Sequence, residues 1–160
     1  MISNLVGNLP LYLQSSDWQR LYRMDQDGCS FITFLKNTRE YPTTVLVVKD
    51  QAGWVFGALV TEPWKLSHGF YGSGENMLFS FEDQDDPLIY KWLGEGEQHQ
   101  YASERALGLG GSRDEGRFAL YLANDFSSGS SFRSEMFNNE PLSKTNDFKC
   151  AAVEVWAILE

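Results

Sequence analysis

The chain has 160 residues, 42% hydrophobic and 14% aromatic. A chain of this size buries about 70% of its unfolded surface in one compact domain and needs neither metal nor disulfide framework to fold. Its 22 acidic and 13 basic residues give a formal charge of −9, with acids gathered at 82–86 and 95–97, which argues against nucleic acid and anionic lipid and for a basic protein surface as partner.

In chain order, Leu5, Val6, Leu9, Leu11 and Leu13, interrupted by Pro10, predict a short helix and an extended arm over residues 1–16 that packs on the body. Residues 1–10 show no basic stretch followed by an apolar core and a small-residue cleavage site. No apolar run reaches the roughly 20 residues that cross a bilayer, so a cytoplasmic protein without direct membrane insertion is expected. A strand is read at 18–23. At 29–39 the run SFITFL alternates like a strand, yet Phe31, Ile32 and Leu35 also form a helical stripe, and Ser30 after Asp27-Gly28 is placed to cap a helix, which is the reading adopted.

The clearest unit is 43–60, where VLVVKD and WVFGALV flank Asp50-Gln51-Ala52-Gly53 and read as an antiparallel hairpin. Both runs are apolar at consecutive positions, which predicts strands covered on both faces near the middle of the core. Further strands are expected at 77–81, 88–92, 107–109, 117–122, 132–137 and 153–158. In 117–122, simple alternation puts Phe118, Leu120 and Leu122 on one face and Ala119 and Tyr121 on the other. With no repeat, linker or composition break, residues 1–160 read as a single domain, expected to be monomeric. Its predicted architecture is mainly β with short helices (α+β), a two-layer antiparallel β-sandwich flanked by a few helices.

Candidate chemistry is sparse. A thiol mechanism needs a cysteine beside a base, and Cys29 or Cys150 with His68 is the one pair that can be constructed; neither lies in a nucleophile motif, so both are read as structural thiols and only weak redox candidates. The histidines and cysteines match no zinc spacing, and the run 82–86 lacks the glycine and closing glutamate of a calcium loop, so it reads as a solvated turn. No metal or cofactor is expected. The glycines at 108–111, including Gly110 and Gly111, are followed by a strand rather than a helix, which favours positive φ or close sheet packing over phosphate binding. In the loop 69–76, Gly72 and Gly74 read as turn glycines, and Glu75 at the tip is the functional candidate. Glu154 shares a strand face with Trp156 and Ile158, so a hydrogen-bonded carboxylate pinning the C-terminus is expected rather than an acid catalyst.

Taken together, the segments TTVLVV at 43–48, VFGALVTEPWK at 55–65, FYGSGENMLFSF at 70–81, YKWLG at 90–94, FALYL at 118–122, LSK at 142–144 and VEVWAI at 153–158 resemble the TLDc domain of the oxidation-resistance family. The resemblance runs from Leu9-Pro10 to Trp156 and rests on the order and spacing of the motifs. It implies a sandwich of two antiparallel sheets with short helices, protection against oxidative stress, and binding to and regulation of the vacuolar proton-pumping ATPase, with recruitment to vacuolar, lysosomal or endosomal membranes through that partner. Asp125 and Glu154 match frequent acidic positions of the family. Departures are Arg117 where an acidic or polar residue is common, Tyr121 for the usual Trp, Ala123 for Asp, and the interruption of the glycine run at 112–115. Two functions are therefore expected to compete: an interaction module, and an antioxidant enzyme using a cysteine or carboxylate site.

Overall fold

A computed structural model describes residues 3–67, 69–72, 75–94, 96–97, 99–111 and 117–159. The hairpin is as its residues require. Strands β2 (Thr44–Asp50) and β3 (Val55–Val60) pair antiparallel from Thr44 opposite Val60 to Lys49 opposite Val55. Asp50 closes the turn twice: its backbone N–H donates to the Trp54 carbonyl at 3.0 Å, and its carboxylate accepts the Trp54 N–H at 2.9 Å. Alternate residues enter different cores. Leu46, Val48, Phe56, Ala58 and Val60 join one apolar cluster, while Val45, Val47 and Leu59 join another, which explains why both runs are apolar at consecutive positions.

Strands β4 (Met77–Glu82) and β5 (Leu88–Lys91) extend this layer beyond β3, and β10 (Asp147–Leu159) and β1 (Asp17–Arg23) extend it beyond β2. The second layer runs β9 (Ser128–Ser130), β8 (Phe118–Ala123), β7 (Ala106–Gly111) and β6 (Gln100–Ala102). β10 belongs to both layers. Residues 147–149 pair with β9, and residues 150–157 pair with β2. Every pairing between these strands is antiparallel, and the predicted sandwich-like fold is what the chain adopts. Between the layers, Leu46, Phe56 and Val155 pack in one cluster with Leu107, Leu120, Leu122 and Phe148.

The outer face of the first layer is covered too. Leu5 of α1 (Ser3–Val6), Leu9, and Leu13 of a 3-10 turn (Leu11–Leu13) pack with Met77, Phe79, Phe81 and Ile158. Helix α2 (Met24–Asp27) follows β1 directly, and α3 (Phe31–Thr38) is capped by the Ser30 hydroxyl, which accepts the Thr33 N–H at 3.3 Å.

Four expectations are corrected. The buried stripe of α3 is Phe31 and Phe34, packed on Tyr22, Trp64 and Phe126, whereas Ile32 is 80% exposed. Residues 132–137 form no strand; Asn139 takes the place of a ladder partner by accepting from the Ser134 N–H and hydroxyl and donating to the Phe132 carbonyl. The last strand starts at Asp147, six residues before the expected 153, on the alternation of buried Phe148 and Cys150 with exposed Asp147, Lys149 and Ala151. In β8, Ala119 lies in the interior with Leu120 and Leu122, while half-buried Phe118 joins Tyr121, Tyr101 and Phe70 in a separate aromatic group. Beside it, Gly110 at φ 64 leaves extended geometry, so strict alternation does not carry across the strand.

Candidate functional site

The connection from β3 to β4 is held by side chains that the strands deliver from two directions. Asn76, just before β4, accepts with Oδ1 from the Thr61 N–H at 3.2 Å and the Thr61 hydroxyl at 3.3 Å. Gln100, at the start of β6, donates to the Glu62 carbonyl at 3.1 Å and exchanges two backbone hydrogen bonds with Tyr71, both 2.8 Å. The Tyr71 hydroxyl donates to the Pro63 carbonyl and accepts from the Lys65 N–H, and burial pushes its pKa up to about 12.

Gly72 sits at φ +93, and a Cβ there would lie 2.9 Å from Gln100 Oε1, so both the backbone and the space call for glycine. Glu75 is exposed and accepts from the Tyr12 hydroxyl at 2.7 Å, tying the loop to the N-terminal arm. Gly74 and His68 lie outside the described residues, so the Cys–His68 pair does too. Beside the loop, a cavity of about 400 Å³ is lined by Pro10, Glu75, Asn76, Met77, Lys91 and Trp92. His99 packs edge-on against Trp92 with centroids 5.0 Å apart; burial lowers its pKa against the opposing pull of Glu97, which favours the neutral ring.

The remaining candidates fall in other places. Gly110 adopts φ +64, and a Cβ on Gly111 would lie 2.1 Å from Phe70 Cζ, which brings the glycine strand against the start of the Gly72 loop. Asp125 is exposed, and its pKa is lowered first by the Ser127 hydroxyl, 2.7 Å away, and then by the Ser127 N–H at 3.0 Å. Glu154 is half-buried: it accepts from Trp156 Nε1 at 3.0 Å and lies 3.6 Å from Arg23 Nε, while Arg20 stacks over the Trp156 ring. The C-terminal strand is thereby joined to β1 by side chains as well as by the ladder.

Both cysteines are free thiols. Cys29 is exposed after Gly28, whereas Cys150 is buried in β10, and burial followed by the nearby carboxylates of Asp50 and Asp125 pushes its pKa up to about 12. A thiol so placed is almost wholly protonated near neutral pH and is a poor nucleophile. Among the described residues, no group of three His, Cys, Asp or Glu side chains is placed to hold a metal ion.

Asn76, His99 and Gln100, which are 2%, 3% and 0% exposed, are not among the site residues expected from sequence. Polar residues flanking a buried strand were the available signal. For His99 and Gln100 the burial follows from β6 meeting the loop, where Gln100 pairs with Tyr71 across 29 residues of chain, and local periodicity does not report such a meeting.

Comparison with known proteins follows the same architecture. The family model described as TLDc domain matches residues 1–159. The chain is 36% identical over 157 residues to oxidation resistance protein 1 of Rattus norvegicus, covering 98% of this chain and 18% of that protein. It is also 36% identical over 157 residues to nuclear receptor coactivator 7 of Homo sapiens, covering 98% of this chain and 16% of that protein. It therefore spans less than a fifth of the length of these curated relatives. A match over almost the whole chain, on an antiparallel sandwich with the expected motifs in order, shows that this chain belongs to the TLDc domain family.

Proposed function

We propose that this domain protects against oxidative stress as a monomeric protein-interaction module, by binding and regulating the vacuolar proton-pumping ATPase from the cytoplasmic side. The observation that carries the reading is the TLDc match over residues 1–159, together with relatives named for oxidation resistance. Physical chemistry supports the non-enzymatic form. Cys150 is buried and held protonated, and the carboxylates of Glu75 and Glu154 are engaged by Tyr12 and Trp156. The exposed acidic turn at Asp83, Asp85 and Asp86 and the net charge of −9 suit a basic partner surface.

The test is affinity purification of the tagged chain followed by mass spectrometry. Pump subunits are expected to be enriched, and the complex is expected to weaken as salt screens its charges. Absence of every pump subunit would sink the pump assignment. The antioxidant-enzyme alternative is separated by replacing Cys29 and Cys150 with Ser: unchanged peroxide survival in cells supports the interaction module, and lost survival with an intact fold supports thiol chemistry.

A further inference from the structure

Three strands end a layer, β1 and β5 in the first and β6 in the second, and their open sides are treated differently. At β1 the Leu21 carbonyl accepts from Asn37 Nδ2 at 2.9 Å, and the Arg23 N–H donates to the Asp27 carboxylate at 2.8 Å. At β6 the Gln100 backbone pairs with Tyr71, and the Ala102 carbonyl accepts the Ser67 N–H at 2.9 Å. At β5, among the described residues, no backbone N–H or C=O of residues 88–91 is bonded to anything but β4. Cover resumes only at the Leu93 N–H, which donates to the Met136 carbonyl at 3.0 Å. Every second residue of an antiparallel edge strand turns its N–H and C=O outward, and such a row is complementary to another extended backbone. The side chains add selectivity. Tyr90 packs partly on the interior cluster and Ile89 partly on the outer one, so a strand laid beside them would continue both apolar faces, and Leu88 is already exposed on the Tyr90 face. Acids surround the edge: Asp83, Asp85 and Asp86 are exposed just before β5, and none of these or Glu82 or Glu140 forms an ion pair among the described residues. Burial, and then the carboxylates of Glu140 and Glu82, raise the Tyr90 pKa against a backbone hydrogen bond to Glu140, which places both acids near the strand.

We propose that β5 is a docking edge for an extended, basic segment of a partner protein, which adds a strand beside residues 88–91 and sets lysine or arginine side chains against the acidic turn that precedes it. The backbone row fixes the occupant as a strand, and the unpaired carboxylates fix its charge. Pro87 before the strand and Lys91 at its end keep the edge to four residues, a guard against indiscriminate pairing that leaves charge to decide which strand is accepted. A second copy, itself carrying −9, is repelled. The inference rests on the protein-binding reading above but not on the pump as the partner.

The experiment titrates the isotope-labelled full chain with an acetylated, amidated hexapeptide of alternating valine and lysine and follows the backbone amides by NMR. The amides of residues 88–91 are expected to shift and saturate, with Kd on the order of a millimolar for so short a probe. The same peptide N-methylated at every residue keeps its charges and side chains but has no ladder donors, and is expected to bind at least about tenfold more weakly. A peptide with glutamate in place of lysine keeps the ladder and reverses the charge, with a similar loss expected. Asp85→Asn with Asp86→Asn, both at exposed positions, is expected to weaken the lysine peptide about threefold and to flatten its salt dependence. Absence of saturable shifts at 88–91, equal affinity for either control peptide, or unchanged affinity in the folded double variant would each overturn the proposal. The peptide comparisons use only the native chain, so they decide the matter even if the variant misfolds. Sedimentation of the chain alone covers the other occupant: dimerisation that shifts the same amides without peptide would assign the edge to a second copy and overturn the partner assignment. Pump capture without peptide binding would overturn the edge and leave the interaction reading standing; peptide binding without pump capture would do the reverse for the pump.

Discussion

Cys29 and Cys150 carry the same side chain into opposite environments. Cys29 is exposed, while Cys150 is buried with its thiol pKa raised to about 12. Iodoacetamide at mildly alkaline pH is therefore expected to label Cys29 in the native protein and Cys150 only after unfolding; peptide mass spectrometry reads the two sites separately, and equal native rates would contradict the buried placement. His99 makes the pH prediction. Burial lowers its folded pKa below the ordinary 6.5, so between those values the unfolded chain binds the extra proton and stability falls as pH drops below about 6.5. One such group contributes a slope of at most about 1.4 kcal/mol per pH unit. Urea titrations at pH 7.5 and 5.5 should show that loss, and His99→Asn should remove its share of it. Single residues were readable in sequence where local chemistry decides them, as at Ser30 and Asp50. Asn76 was not readable, because its partner Thr61 and its burial are supplied by other elements.

At the scale of elements, the N-terminal arm covers part of the outer face of the first layer. Leu5 and Leu13 are fully buried against the outer face of the first layer, beside Val45, Phe79 and Phe81. Leu13→Ala is expected to cost about 2–5 kcal/mol through lost transfer energy and the cavity left behind, measurable as a lower urea midpoint with unchanged m. A loss below about 0.5 kcal/mol would mean that the arm does not cover that face. The hairpin of β2 and β3 was legible because two-sided burial writes itself as consecutive apolar residues. The three-residue strands β6 and β9 were not, since three residues hold too little of a period to distinguish from a turn. Residues 132–137 misled in the other direction, with Phe132, Met136 and Phe137 supplying apolar content while Asn139 satisfied the backbone.

Across the whole molecule, β10 ties the two layers into one body by pairing with β9 through its first residues and with β2 and β1 through the rest. Neither layer can release it without exposing the shared cluster that contains Phe148, Val153 and Val155. A single cooperative unfolding transition is expected, with tryptophan fluorescence and far-UV circular dichroism coincident in urea; separate midpoints would show that the layers unfold independently. What the sequence determined by itself was the class of fold, its antiparallel hairpin centre, the cap of α3 and the family resemblance, because period, turn chemistry and motif order are properties of neighbouring residues. Tertiary structure alone decided which thiol is buried, where β10 begins and crosses between layers, which ring of β8 leaves the interior, and how Asn76, Lys91 and Trp92 come to line one cavity. Those outcomes depend on contacts between segments far apart in the chain, and such contacts leave no periodic trace in either segment alone.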